Sequence, residues 1–127
     1  MPGLGEFAAV AAGGAIGAVM RFSALLASTR LLPAGFPWGT LLVNVSGSLL
    51  MGVAYVLLLE RGVLPPVWRS FLTAGVLGAF TTFSAFSLDA LALLQAGSPG
   101  RALAYVLASV GVCLMAAALG VMMARAL

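Results

Sequence analysis

Four apolar runs, each long enough to cross a bilayer, leave this chain little freedom in what it can become. A helical crossing takes roughly 20 residues, and such runs occupy about Phe7–Leu32, Trp38–Leu59, Val67–Ala96 and Ala102–Leu127. Between them stand "PAGFP" from Pro33, "ERGVLPP" from Glu60 and "AGSPG" from Ala96, where proline and glycine stop helices and most of the charge collects. Trp38 and Trp68 each begin a span, at the headgroup level that suits an amphipathic ring. The expectation is an all-α membrane protein, a single transmembrane domain over residues 1–127 with four transmembrane helices.

Composition removes the competing classes. Only 7% of the residues are charged and 63% are hydrophobic, whereas soluble domains carry about a quarter charged. Lipid is the solvent this implies, and the first apolar run has no basic leader before it, so it reads as an integral span and not as a signal peptide. General acid–base chemistry wants histidine or a tuned carboxylate pair. The chain has no histidine, and Glu6, Glu60 and Asp89 lie far apart. With no cluster at metal-ligand spacing and no glycine-rich strand-to-helix loop, an enzyme is not expected. The net charge of +3 comes from six scattered arginines, which form no basic stripe, so nucleic acid is not a partner. The single cysteine, Cys113, reads as a small core residue.

Small residues recur at helix-packing spacing: Gly13 with Gly17, Gly14 with Ala18, Ala116 with Gly120. Such pairs let helix backbones approach in lipid. The arginines carry different information. With the amino terminus inside, Arg61, Arg69 and Arg125 lie inside, while Arg21, Arg30 and Arg101 lie outside. A positive-inside bias fixes topology; here there is none. Insertion in both orientations follows as an expectation, and opposed copies could pair as an antiparallel, dual-topology homodimer.

Uncharged polar residues inside the spans mark the candidate site, because a hydroxyl or amide in hydrocarbon is costly without a partner. Thr40, Asn44 and Ser48 fall four apart in the second span, and Tyr105, Ser109 and Cys113 repeat the spacing in the fourth. Each set shares one helix face. In the third span "GAFTTFSAF" places Phe80, Phe83 and Phe86 three apart, an aromatic stripe if the segment stays helical. Phenyl rings have a positive edge, so rings turned edge-on beside an asparagine donor could solvate a small anion without a fixed charge, which would hold it too tightly to conduct. Gly78, Ala79, Thr81 and Thr82 make a weak place in that helix. A break near its middle would expose carbonyl oxygens suited to a cation such as Na⁺. Arg21 lies roughly 20 Å along the first span at about 1.5 Å per residue, where it snorkels to the headgroups or forms a positive vestibule that concentrates anions.

"GGAIGAVMRF" at Gly13–Phe22, "GTLLVNVSGSLLMG" at Gly39–Gly52 and "GAFTTFSAF" at Gly78–Phe86 resemble, in order and spacing, three signature blocks of the Fluc/CrcB fluoride channels. The resemblance covers essentially all four spans. It implies an antiparallel homodimer in the cell inner membrane, with two pores that passively export fluoride from the cytoplasm and relieve its toxicity. It also implies a structural Na⁺ at the dimer centre, held by the backbone carbonyls of Gly78 and Thr81. By the same resemblance Asn44, Phe83 and Phe86 line the fluoride pore, Thr40, Tyr105 and Ser109 form its polar track, and Arg21 is the vestibule arginine. Ala79 stands where a second glycine is usual, and Cys113 where a serine is common. The alternative is a small multidrug-type dual-topology antiporter, which needs a membrane-embedded carboxylate; the first span offers only Glu6, at its very start.

Overall fold

A computed structural model describes all 127 residues. Four helices are long and apolar enough to span a membrane: α1 (Leu4–Leu31), α2 (Trp38–Glu60), α3 (Pro66–Gln95) and α4 (Pro99–Arg125). The punctuation explains the boundaries. Gly35, Gly62 and Gly97 take positive φ in the three connections, a conformation that side chains with a Cβ resist. Pro66 and Pro99 sit in the first turns of α3 and α4, where a missing N–H costs nothing.

Only 21 of the 127 residues are buried, and large side chains such as Phe22, Leu107 and Leu114 face outward. Helices apolar on their outer faces are matched to lipid rather than water. Inside the bundle α1 packs on the first half of α3, and α2 packs along α4. Both seams depend on bare glycine backbone. A Cβ on Gly17 would fall on the Val76 carbonyl oxygen, and one on Gly52 would fall on that of Ala117. The expected pair of Gly14 with Ala18 is different: a Cβ on Gly14 would meet nothing within 4 Å, and Ala18 borders a cavity and not a helix seam.

Two stretches are wound as π-helix, Tyr55–Glu60 at the end of α2 and Phe71–Leu77 within α3. A wider turn of this kind appears mostly as a local bulge in an α-helix. At the bundle ends, Arg101 donates to Gly35 O (3.3 Å) on one side. On the other, Arg125 pairs with Glu60, and Arg61 donates to Arg125 O (3.4 Å).

The helical path of α3 stops at Phe80 and resumes at Phe83. Thr81 and Thr82 between them are extended, with φ/ψ of −83°/157° and −153°/122°. Gly78 stays helical (φ −61°, ψ −38°), so within the expected weak stretch the interruption falls on the two threonines and not on the glycine. The residue responsible is on another helix.

Candidate functional site

That residue is Asn44. Its Nδ2 donates to Thr82 O (2.9 Å), and the Thr82 N–H donates to Asn44 Oδ1 (2.8 Å). The carboxamide thus replaces helical neighbours for both backbone polar groups of one residue, at a depth where water is scarce. Thr82 then restarts the helix as its N-cap, its Oγ1 accepting from Ala85 N–H (3.2 Å). In an unbroken helix the Thr82 N–H would serve Gly78 O and the Ala85 N–H would serve Thr81 O. Both donors are diverted, so both carbonyls lose their helical partner. Thr81 itself folds back, its N–H and its Oγ1 both donating to Leu77 O (3.1 and 3.0 Å).

Asn44 borders a cavity of about 380 Å³ with Phe83 and Phe86 from α3 and Ser109 and Cys113 from α4. No charged residue lines it. The two phenyl rings lie 5.3 Å apart at 57°; Phe86 is buried, whereas Phe83 is 78% exposed in the middle of a span. Ser109 is 6% exposed, yet its Oγ has no hydrogen-bond partner. The stripe of three phenylalanines does not form. The extended residues after Phe80 change its phase, and its ring lies against Gly47 on α2 instead of on the cavity.

Thr40 and Tyr105 do not line this cavity. Thr40 is 5% exposed and borders a second cavity of about 360 Å³, together with Asp89. Tyr105 is wholly buried between the two. Its ring packs 5.3 Å from Phe86, a wall of the first cavity, and 5.5 Å edge-on from Phe36, a wall of the second. Its hydroxyl donates to Asp89 Oδ2 (3.2 Å). Tyr105 is thus the partition of the polar track, and Asp89, which the sequence reading gave no part in that track, belongs to the second cavity. Its spacing three residues after Phe86 puts it on that residue's side of the helix, but the link to Tyr105 is tertiary.

Arg21 lies on a third cavity of about 540 Å³, bordered also by Thr82 and Ser84. Thr82 lines the first cavity as well, so the basic cavity and the uncharged one meet at this residue. The only sequence sign of that role is a threonine three residues before Ala85, in N-cap register. Thr82 and Ser84 hydroxyls lie 3.4 Å apart, which makes the junction a polar one.

A profile of the family described as "CrcB-like protein, Camphor Resistance (CrcB)" matches residues 8–121. Relatives include the "Fluoride-specific ion channel FluC" of Rhizobium meliloti (strain 1021), 47% identical over 118 residues, which cover 93% of this chain and 94% of that one. The protein of the same name from Magnetococcus marinus is 47% identical over 120 residues, 94% of this chain and 98% of that one. A third, from Shewanella amazonensis, is 48% identical over 111 residues, 87% and 89% of the two chains. A match of this extent over all four helices places the chain, a multi-pass membrane protein, in the CrcB family.

Proposed function

We propose that the chain is a fluoride-selective channel that passively exports fluoride from the cytoplasm, working as an antiparallel homodimer with two pores in the inner membrane. The observation that carries this reading is the uncharged cavity beside Asn44. There Thr82 uses only one of the two Asn44 Nδ2 hydrogens, so an amide hydrogen stands beside two phenyl rings with no fixed charge. Fluoride is a compact, strong acceptor. Hydroxyl, amide and ring-edge hydrogens can replace its water one at a time, and the absence of a full positive charge lets it leave. The names of the relatives agree with it.

In this reading Arg21 raises the anion concentration in the basic cavity, and Thr82 and Ser84 stand where the ion passes toward Asn44. Phe83 and Phe86 line the pore beside Asn44 and Ser109, while Thr40 and Tyr105 continue the track. Pairing of two copies accounts for the exposure of Phe83 and of Gly78. The carbonyls of Gly78 and Thr81, both without their helical donors, are neutral hard oxygen ligands of the kind that fits Na⁺, and a second copy would bring two more. The ion would be structural, neutralising dipoles where two broken helices cross. The near-equal arginine count on both sides supports insertion in both orientations.

Liposomes holding the purified protein should release fluoride when potassium is made permeable, and should retain chloride. Fluoride release no faster than from empty vesicles, or equal release of chloride, sinks the proposal. The antiporter alternative is tested by the same vesicles, since coupled transport would require a proton gradient and a multidrug cation.

A further inference from the structure

The second cavity is walled by chemistry opposite to that of an anion path. Asp89 is the one charged residue on it, half-buried, and it makes no ion pair; its only hydrogen bond is the one accepted from the Tyr105 hydroxyl (3.2 Å). A carboxylate partly withdrawn from water is costly without a counter-charge. Arg101, at this end of the bundle, is spent on Gly35 O and does not line the cavity. Ser28 and Thr29, also on the wall, donate their hydroxyl hydrogens to Leu25 O and Leu26 O (both 2.7 Å), so neither has a hydrogen left for an anion. The carboxylate is joined to a run of aromatic rings through its tyrosine partner. The Tyr105 ring lies 5.5 Å edge-on from Phe36, and Phe36 lies 4.6 Å from Trp38. Phe36 and Trp38 both border the cavity.

An uncompensated negative charge among aromatic rings is the arrangement that recognises cations of diffuse charge, quaternary ammonium above all. We propose that this cavity binds a small organic monocation of the quaternary ammonium or N-alkylpyridinium class, and that the bound cation obstructs the polar track beyond Tyr105. The inference rests on the channel reading for the obstruction, but not for the binding. Size and lining select the class. A volume of about 360 Å³ is far more than a bare alkali ion fills, and Leu25 and Leu32 on the wall suit methyl groups better than hydration water. Access is from the bundle end, since Pro33 and Pro37 of the α1–α2 connection border the cavity and Trp38 stands at the headgroup level. The cation therefore reaches Asp89 from water, without crossing hydrocarbon, and supplies the counter-charge that the chain does not.

The test uses the full chain carrying Trp68→Phe, which leaves Trp38 as its only tryptophan. In neutral detergent it is titrated with 1-methylpyridinium, which quenches indole emission on contact, and fluoride efflux from liposomes holding the same protein is read over the same concentrations. Trp38 emission is expected to fall along a saturating curve that tetramethylammonium, which does not quench, competes away; efflux should fall with the same midpoint. Asp89→Asn keeps an oxygen for the Tyr105 hydroxyl but loses the charge, and should show only the linear quenching of an exposed indole. Phe36→Leu should raise the midpoint roughly three- to tenfold. Linear quenching in the parent protein, or equal saturation in Asp89→Asn, overturns the binding site, and an unchanged midpoint in Phe36→Leu does so whether or not Asp89→Asn folds. Saturation without loss of efflux overturns the obstruction. If untreated protein shows no fluoride efflux, the channel reading fails instead, and the quenching still decides whether the cavity takes the cation.

Discussion

Asn44 and Thr82 hold each other by two opposed hydrogen bonds, 2.9 Å from the Asn44 amide to the Thr82 carbonyl and 2.8 Å back from the Thr82 N–H. A side chain on α2 thereby takes the part of a missing helical turn in α3, and the interruption beside the cavity depends on it.

Replacing Asn44 by leucine leaves both Thr82 groups without partners. Each unsatisfied buried polar group costs about 1–3 kcal/mol, so Asn44→Leu should lower the denaturation temperature clearly and depress fluoride flux. Asn44→Asp, which keeps an acceptor but loses the amide donor, should fall between it and the wild type. A leucine variant as stable as the wild type would show that the clamp does not hold the break open.

Gly17 and Gly14 provide a matched pair on α1. Alanine at Gly17 pushes a methyl onto the Val76 carbonyl, and overpacking of this kind typically costs about 1–3 kcal/mol. Gly14→Ala meets nothing within 4 Å in the chain and should fold normally. Thermal stability of the two in one detergent checks the difference; equal loss would mean that the seam with α3 is not what Gly17 serves.

Tyr105→Phe keeps the ring between Phe36 and Phe86 but removes the donor to Asp89. A hydrogen bond to a charged group contributes about 1.5–3 kcal/mol, so a modest loss of stability is expected together with slower flux. Tyr105→Ala, which deletes the partition, should lose more stability than Tyr105→Phe. Flux through Tyr105→Phe at the wild-type rate would remove the hydroxyl from the ion path.

The proposed Na⁺ predicts an effect of its removal. Dimers purified and dialysed against N-methylglucamine salts should dissociate or denature at lower temperature than in sodium, with recovery when sodium is restored. Identical melting in the two salts would leave the carbonyls of Gly78 and Thr81 without a metal role.

The four helices were legible because a bilayer sets the length of each apolar run, and because proline and glycine mark where the chain turns. Face-sharing was legible too: four-residue spacing puts Asn44 with Ser48, and Ser109 with Cys113, on a common cavity wall. The weak stretch of Gly78, Ala79, Thr81 and Thr82 was legible as the place of a break, but which of these residues leave the helix was not. Gly78 is locally the weakest residue, yet it remains helical, since weakness alone does not break a helix whose alternatives are unsatisfied. The deciding partner is Asn44, 38 residues away in sequence. The same reason hides Asp89, whose partner Tyr105 is on another helix, and misplaces Phe80, whose register with Phe83 assumed a continuous helix. Local pattern reports faces; it does not report which face meets which.

The π-wound stretch Phe71–Leu77 lies between the start of α3 at Pro66 and Thr82 in the grip of Asn44. A π-turn holds more residues per turn than an α-turn, so this stretch stores slack in the chain. Shortening it by one residue can be absorbed by rewinding to α-geometry. Shortening the second segment, Phe83–Gln95, instead rotates everything beyond the cut by about 100°. Tolerance to deletion is therefore concentrated in one turn and a half of α3, and length variation in this span has a single place to be taken up.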